Sequence, residues 1–345
     1  MADELSIEER GVGALIGLAV GDALGMPTQS MSPDDIERHY GWPITGLVDA
    51  CAEQPIAPNM KAGAVTDDTE QAFLLAARLI ADGGELDNDA YARDLLEWED
   101  MMRAKGSLDL LGPSTKAALH ALAEGVDPEL TGRFGTTNGG AMRAAPVGIA
   151  FAPGARLAEE ARRSCVVTHN TVQGIEGTTL VAAAVSSAIE GSDDPLGDAV
   201  AFVAAHPAQG NWSAKASVLT RTERLLDWTS HAGRDADEQE FARVLRFEVG
   251  TSVEANESVP SAFAIARRFA DDPTHALCFA ASIGGDTDTM AAMAGAILGA
   301  WHGAGAFDAG IADQVVRQLR EDNGLDPEST ARGLCALRAQ GGDRR

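Results

Sequence analysis

Two short segments of the chain have the residue types of a metal site. Each carries two aspartates with neighbouring threonines, in the runs Thr66-Asp67-Asp68-Thr69 and Gly284-Gly285-Asp286-Thr287-Asp288-Thr289. Four carboxylates brought together would repel one another and raise each other's pKa, unless divalent cations supplied the opposing charge. Oxygen-only ligands favour Mg²⁺ or Mn²⁺ over zinc. The pattern therefore predicts one site for two such ions, roughly 3.5–4 Å apart, that could hold adjacent sugar hydroxyls and a water.

Each segment can also be interpreted more simply, as the start of a helix. Thr66 offers a capping hydroxyl, and Asp67, Asp68 and Glu70 place acids in a first turn that precedes the apolar residues 72–76. The second segment opens the apolar residues 290–301 in the same way. A cap needs one acid or hydroxyl, whereas each segment has two acids. The second acid favours a metal site. A helix N-terminus carries partial positive charge and repels a cation, so a metal bound there needs additional carboxylates to hold it.

The elements that must position these acids are helices almost throughout. Apolar residues recur at three- and four-residue spacing, and strand-like alternation finds little support. The helical segments are residues 12–25, 68–80, 89–103, 115–123, 156–166, 174–189, 214–228, 238–247, 260–269, 275–281, 288–302 and 311–319. We expect an all-α fold, a compact single-domain orthogonal bundle of a dozen or more helices over residues 8–340, with the dinuclear metal cleft at one end.

Further polar motifs are candidates for the walls of a cleft above the metals. Residues 136–140 are rich in donors that could meet phosphates, although an ordinary capped turn has the same composition. Arg143 could pair with a phosphate or, in a chain with 52 acids, form an internal salt bridge. His169 could contact a ligand or be structural. Glu257 and Ser258 lie near a predicted helix start, so capping competes with substrate contact.

Five motifs occur in an order that resembles the ADP-ribosylglycohydrolase family. They are Gly21-Asp22-Ala23-Leu24-Gly25, Thr66-Asp67-Asp68-Thr69, Asn138-Gly139-Gly140-Ala141-Met142-Arg143, Thr168-His169 and Gly284-Gly285-Asp286-Thr287-Asp288-Thr289. Each motif alone is a weak signal, but five in family order are specific. The resemblance extends from about residue 11 to residue 303, and residues 25–27, 111–114 and 257–260 look like a bacterial subgroup.

The resemblance implies roles for individual residues. The ligands of two Mg²⁺ or Mn²⁺ ions would be Thr66, Asp67, Asp68, Asp286, Asp288 and Thr289, with Asp288 bridging. Catalysis would involve Asp67, Asp68, Asp288 and Gln29. Substrate contacts would come from Asn138, Gly139, Gly140, Met142, Arg143, His169, Glu257 and Ser258.

Gln29 is where this chain departs from the family pattern. Better-known members have a glutamate a few residues after the Gly-Asp-Ala-Leu-Gly run, as a proton acceptor or water-positioning group. An amide can coordinate a cation or orient a water, but it cannot take a proton at neutral pH. General-base duty would then pass to a hydroxide at the metals or to one of the four aspartates.

Composition narrows the class of protein. A net charge of −25 with four lysines argues against a surface that grips nucleic acid. No Gly-Lys pair follows a glycine-rich turn, which argues against a P-loop nucleotide-binding protein. No G-x-S-x-G elbow occurs either, which argues against a serine hydrolase. The acidic N-terminus is unlike a secretory signal, and no uninterrupted apolar run reaches the ~18 residues of a membrane span. Widely spaced cysteines without C-x-x-C are expected to be reduced, so we expect a cytoplasmic protein.

These observations predict a metal-dependent hydrolase that cleaves a C1–N or C1–O bond of a ribosyl group. The substrate would be an ADP-ribosylated protein or a small ADP-ribosyl or related ribosyl compound. Two alternatives remain: a hydrolase of nucleosides or small ribosyl metabolites, and an ADP-ribose binder that has lost catalysis through Gln29. A purely structural relative is disfavoured, because packing alone has no use for four buried carboxylates. The sequence carries no indication of oligomeric state.

Overall fold

The computed structural model describes residues 5–105 and 111–342, and within these residues the protein has nineteen α-helices and no β-strand. The helices α1 to α19 are, in order, Ile7–Gly25, Pro33–Tyr40, Asp67–Ala81, Asn88–Lys105, Pro113–Ala123, Pro128–Thr131, Gly139–Met142, Ala145–Ala150, Ala155–His169, Val172–Ile189, Pro195–Ala205, Val218–Ser230, Ala232–Asp235, Glu238–Val244, Ala255–Arg268, Pro273–Ser282, Thr287–His302, Ala309–Asp322 and Pro327–Gly342. Met26–Thr28 and Ala304–Ala306 are 3₁₀ turns, and Leu245–Val249 is a turn of π-helix. The prediction of an all-α protein with a dozen or more helices is confirmed.

All twelve predicted segments coincide with helices, and the differences lie at the ends. The largest, five residues each, are at the starts of α1 and α15: these helices begin at Ile7 and Ala255, although they were predicted to begin at Val12 and Pro260. A proline inside a helix removes the N–H that would bond the carbonyl four residues earlier, here that of Asn256. The guanidinium of Arg221 donates to that carbonyl at 2.8 Å and replaces the missing bond. The substitute comes from α12, so the sequence around Pro260 does not reveal it.

Seven helices were not predicted: α2, α6, α7, α8, α11, α13 and α19. Three of them, α6, α7 and α13, have four residues each, too few to show a period. α11 is apolar on most sides, and such a helix gives no amphipathic stripe. α2 is the opposite case, with Ile36 as its one buried residue.

A glycine stripe brings α1 and α17 unusually close together. Gly13, Gly17 and Gly21 lie four residues apart on one face of α1. A methyl group on Gly21 would sit 2.1 Å from the carbonyl oxygen of Ala291, and one on Gly17 would sit 2.1 Å from that of Gly295. No side chain larger than hydrogen fits such contacts. The stripe therefore sets the distance between the acids carried by the two helices.

The two most apolar long stretches, Ile7–Thr28 and Val172–Ile189, contain α1 and α10. Both are long and apolar enough to cross a membrane, yet 94% of each apolar window is buried within the protein. Core helices pass the same test of length and composition, so these stretches are weak evidence for a membrane span. The main hydrophobic core draws residues from the whole length of the described chain, from Ala14 to Leu337.

Candidate metal centre and substrate cavity

Five buried carboxylates meet where α1, α3 and α17 come together. One oxygen from each of Asp22, Asp68 and Asp288 lies within 4.8 Å of the other two. Asp67 and Asp286 line a small cavity beside them. None of the five side chains belongs to a residue more than 5% exposed. The two acidic segments therefore meet in one place, and they are joined by Asp22, an acid that the sequence analysis did not include among the ligands.

The start of α3 is held by hydrogen bonds to Asp22. The Asp22 carboxylate accepts from the backbone N–H of Thr66 at 2.9 Å and from that of Thr69 at 3.1 Å. It also accepts from the Thr69 hydroxyl at 2.5 Å. Thr66 is the N-cap of α3, and its hydroxyl accepts from the N–H of Asp68 at 3.3 Å. This segment therefore caps the helix and also presents Asp67 and Asp68 to the cluster.

The start of α17 is shaped by Gly284 and Gly285, which have φ values of 83° and 86°. These values lie in the left-handed region that glycine adopts without strain. A methyl group on Gly285 would also sit 2.2 Å from the carbonyl oxygen of Thr251. The N–H of Asp286 donates to the same carbonyl at 2.7 Å. The glycine pair therefore turns the chain tightly enough to carry Asp286 and Asp288 into the cluster.

Burial raises the pKa of every carboxyl in the cluster, and repulsion by neighbouring acids adds to it for Asp67, Asp68 and Asp288. Burial raises the pKa of Asp22 to about 6, an effect that its hydrogen bonds from Thr69 and Thr66 partly oppose. For Asp68 and Asp288 the pKa lies well above the usual value, first because of burial and then because of neighbouring acids. The pKa of Asp67 is raised well above normal and that of Asp286 is also raised, in both cases chiefly by burial. Protons or cations must compensate this concentration of negative charge.

The hydrogen-bond partners of the site's oxygens indicate whether protons or cations fit it better. Neither carboxylate oxygen of Asp288, nor Oδ1 of Asp68, nor Oε1 of Gln29 makes a hydrogen bond with the described part of the chain. A buried acceptor without a donor is costly, so such atoms need an explanation. The second oxygen of Asp68 has the hydroxyl of Thr289 at 3.3 Å. A set of oxygen donors with free lone pairs fits hard divalent cations.

A cavity of about 30 Å³ lies against the cluster. Four of its lining residues are predicted metal or catalytic residues, namely Gln29, Asp67, Asp286 and Thr289. Three more are predicted substrate contacts, namely Asn138, Gly139 and Met142. The sequence analysis did not propose its other lining residues, Gly112, Thr115 and Val253, as contacts. The volume holds about two waters.

The other predicted substrate residues stand behind this wall, where they fix the residues that form it. Ser258 is fully buried, and its hydroxyl accepts from the Asn138 amide at 2.9 Å. The same amide donates to Asp286 at 2.5 Å. Buried His169 bonds to the Thr137 hydroxyl at 2.9 Å. A methyl group on Gly139 would lie 2.7 Å from the His169 ring, so the glycine lets the loop pack against it.

Arg143 and Glu257 also bond within the protein. Arg143 is fully buried and donates to Gln71 at 2.7 Å and to the Thr168 hydroxyl at 2.5 Å. Its partners are thus neutral, whereas the sequence analysis had weighed a phosphate against a salt bridge. Glu257 accepts from the Ser252 hydroxyl at 2.6 Å. Gly140 packs against Thr178 and does not line the cavity. These contacts support the cavity wall from outside.

Comparison with known proteins identifies the family. The model of the ADP-ribosylglycohydrolase family matches residues 3–342. The chain belongs to this family. The family assignment agrees with the resemblance carried by the five motifs, and it covers the helices that the sequence analysis missed as well as those it found.

Several relatives are similar over most of their length. The chain is 33% identical over 339 residues to the uncharacterized protein YegU of Escherichia coli (strain K12), which covers 96% of this chain and 98% of the relative. It is 28% identical to the human ADP-ribosylhydrolase ARH3, over 84% of this chain and 85% of the relative. It is 29% identical to the ADP-ribosylarginine hydrolase Tri1 of Pseudomonas putida (strain GB-1), over 86% of this chain and 71% of the relative.

A solved structure has the same fold. It is described as an ADP-ribosylglycohydrolase-related protein complex, and it superimposes with a TM-score of 0.69 at 25% sequence identity. The superposition covers 96% of this chain and 99% of the other. Membership of a family of ADP-ribosyl hydrolases supports a glycosidase-type hydrolase.

Asp22 is the main residue that sequence reasoning missed. It stands in the first of the five motifs, but the motif contributed only to the family resemblance. A signal was present, because Asp22 interrupts an apolar helix and directly follows a glycine of the close-packing stripe. A charged residue on such a face is buried, and a buried charge needs a partner.

Proposed function

We propose that the protein hydrolyses the bond at C1 of the ribose of an ADP-ribosylated substrate, with two Mg²⁺ or Mn²⁺ ions as cofactors. Thr66, Asp67, Asp68, Asp286, Asp288 and Thr289 would hold the ions. The observation that carries the proposal is the set of buried oxygens without donors on Asp68, Asp288 and Gln29. We further propose that residues 8–340 act as one domain and that the protein works in the cytoplasm.

The cofactors would supply positive charge that orients the ribose hydroxyls and acidifies a water near C1. The protein's own residues then define the remaining roles. Asn138 holds Asp286 in place, and Ser258 holds Asn138. Gln29 lines the cavity with a free Oε1 and orients the attacking water by accepting one of its hydrogens. Because an amide does not take the proton, we assign that step to one of the four aspartates, of which Asp67 and Asp286 line the same cavity.

The ADP-ribosyl group is the proposed substrate because of the chain's relatives. Human ARH3 is an ADP-ribosylhydrolase and Pseudomonas Tri1 an ADP-ribosylarginine hydrolase, and both are similar to this chain over most of its length. The polar cavity wall, with Asn138 and Thr115, suits a hydroxyl-rich ligand. A net charge of −25 disfavours long-range attraction of a negatively charged substrate, so contacts within the site would have to hold it.

The proposal can be tested by metal removal followed by a substrate panel. Chelator-treated protein should lose turnover of ADP-ribosyl-arginine or ADP-ribosyl-serine, and Mg²⁺ or Mn²⁺ should restore it. Its melting temperature should also fall, since ions bound to the native state add stability by mass action. Turnover and melting temperature that survive chelation would contradict the metal centre. Hydrolysis of simple nucleosides alone would support the ribohydrolase alternative, and metal-dependent binding of ADP-ribose without turnover would support the binder.

Gln29 separates the enzyme from the binder. Gln29→Ala should lower turnover by about tenfold or more with little change in substrate affinity, since a residue that orients a water acts on kcat. Gln29→Glu should keep metal binding and alter the pH–rate profile by adding an ionisable group. Conversion of an inactive wild type into a slow hydrolase by Gln29→Glu would show that the natural protein binds without catalysing. If Gln29→Ala changes neither binding nor turnover, the residue has no role in the site.

A further inference from the structure

A second group of potential metal ligands lies outside the carboxylate cluster. His39 is near the C-terminal end of α2, and Cys51 and Glu53 lie in the connection between α2 and α3. One ring nitrogen of His39, the sulfur of Cys51 and one carboxylate oxygen of Glu53 all lie within 4.8 Å of one another. His39 and Cys51 are half-buried, and Glu53 is exposed. The three atoms are therefore close together, on residues that are all at least partly exposed.

The chemistry of these ligands differs from that of the oxygen cluster. A thiolate, an imidazole and a carboxylate form the mixed sulfur, nitrogen and oxygen set that zinc prefers, whereas Mg²⁺ takes oxygen alone. With bond lengths of about 2.0–2.3 Å, two ligands of a tetrahedral zinc are roughly 3.3–3.8 Å apart. A limit of 4.8 Å on each pair means that shifts of about an ångström would complete the geometry.

The surroundings hold the ligand-bearing segments in place. The backbone N–H of Cys51 donates to the hydroxyl of Tyr40 at 2.7 Å, which ties the connection to the end of α2. The guanidinium of Arg38 lies 3.5 Å from Nε2 of His39, but it is also paired with Asp35 at 2.5 Å. That ion pair offsets the cation next to the ring. The thiolate and the Glu53 carboxylate then supply the negative charge that a divalent ion requires.

We propose that His39, Cys51 and Glu53 bind a zinc-class transition-metal ion, with a water in the fourth position. The ion would fasten the segment at Cys51 to α2. Gln54 follows in the same segment, and its amide donates to the carbonyls of Met26 and Gln29 at 3.2 Å each. The ion therefore stabilises, through Gln54, the backbone that presents Gln29 to the cavity. The binding site itself rests on these side chains and not on the proposed reaction.

Cobalt is the direct probe, because a Co²⁺–thiolate bond gives an intense near-ultraviolet absorption that oxygen ligands do not. Metal-free full-length protein, kept reduced and supplied with saturating Mg²⁺, should develop this band on titration with Co²⁺. Equimolar Zn²⁺ should bleach it, since zinc displaces cobalt. Cys51→Ser should abolish the band. Cys335→Ser is the matched control, because Cys335 is also a half-buried free cysteine, and it should leave the band unchanged.

Two further variants and a separation from the main site complete the test. His39→Gln and Glu53→Gln should each weaken Co²⁺ binding at least as much as the roughly 10–100-fold loss that follows removal of an outer partner of a metal ligand. Asp288→Asn should keep the band, whether or not it changes hydrolysis, so the outcome for this site is separate from the outcome for the proposed function. No thiolate band in the wild type, or a band that persists in Cys51→Ser, would overturn the site.

Discussion

Asp22, on α1, and Asp288, at the start of α17, belong to one cluster and are both fully buried, but the protein treats their charges differently. Asp22 accepts hydrogen bonds from the backbone of Thr66 and from the backbone and hydroxyl of Thr69. Asp288 has no such donor among the described residues on either oxygen. The pKa of Asp22 rises to about 6, whereas that of Asp288 lies well above normal.

The difference distinguishes a carboxylate whose oxygens hold the start of a helix from one whose oxygens have no hydrogen-bond donor among the described residues. The oxygens of Asp22 accept hydrogen bonds from the first turn of α3, so removal of this side chain would leave the donors of that turn without a partner. The lone pairs of Asp288 meet no hydrogen-bond donor in residues 5–105 and 111–342, so they are available to a cation. Equal burial and equal charge therefore do not imply equal roles, and the donors around each oxygen decide between them.

The largest expected effect is on turnover in Asp288→Asn. We expect a loss of about 100-fold or more, since the change removes a charge on which the proposed ions depend. The free energy of unfolding of the metal-free variant should be unchanged or higher, because repulsion of Asp286 and Asp22 is relieved. Turnover and urea unfolding of the chelated protein measure the two quantities. Asp313→Asn, an exposed acid on α18, is the control and should change neither. Normal turnover in Asp288→Asn would remove its assigned role.

The converse variant is Asp22→Ala, which should lose stability even without metal. Two backbone N–H groups and one hydroxyl would be left buried without an acceptor, at a cost of about 3 kcal/mol or more in the free energy of unfolding. Urea unfolding in chelator measures this cost, with Asp288→Ala as the matched comparison. If the two alanine variants of the metal-free protein were equally destabilised, the distinction between structural acid and ligand would fail.

The next largest effect is expected from a substitution that separates α1 from α17. Gly21→Ala places a methyl group 2.1 Å from the carbonyl of Ala291, so the helices must separate. We expect a loss of about 1–3 kcal/mol in the free energy of unfolding. Metal affinity should also drop, because Asp22 on α1 holds the start of α3, which carries the proposed ligands Asp67 and Asp68. Gly46→Ala, where an added methyl group meets nothing within 4 Å, is the control. A Gly21→Ala protein with wild-type stability would show that the stripe does not set the helix distance.

The smallest expected effect is a pH dependence of metal stabilisation. A carboxyl whose native pKa is raised, as for Asp22 from 3.8 to about 6, keeps its proton in the native state while the unfolded chain has released it. The metal-free protein therefore loses stability as pH rises from about 4 through about 6, and only about half of the roughly 3 kcal/mol that this shift represents is lost between pH 5 and pH 8. Buried His169, with its lowered pKa, acts in the opposite direction, but equally with and without metal.

The difference in unfolding free energy between Mg²⁺-loaded and metal-free protein should therefore grow from pH 5 to pH 8. A constant difference would contradict proton release on metal binding.

Much of this architecture could be predicted from local sequence. Thr66 and the acids after it predicted the start of α3, and α3 begins at Asp67 with Thr66 as its cap. The start of α15 was misplaced because Pro260 is normally excluded from a helix interior and its compensation, Arg221, comes from another helix. His39, Cys51 and Glu53 were not predicted as ligands, because they are spread over fourteen positions and their spacing matches no familiar metal-binding motif.

The sequence alone determined the helical class, the capping of α3 and the pairing of two acidic segments, because periodicity, caps and repeated ligand types are local properties. Only the tertiary structure decided what each carboxylate does. Asp22 and its donor Thr66 are 44 residues apart, and Asn138 is 148 residues from Asp286. Hydrogen-bond partners at such separations are brought together by helix packing, here by the glycine contact of α1 and α17. The donors that packing places around a carboxylate therefore decide whether it caps a helix, holds a neighbouring segment in place or remains available to a cation.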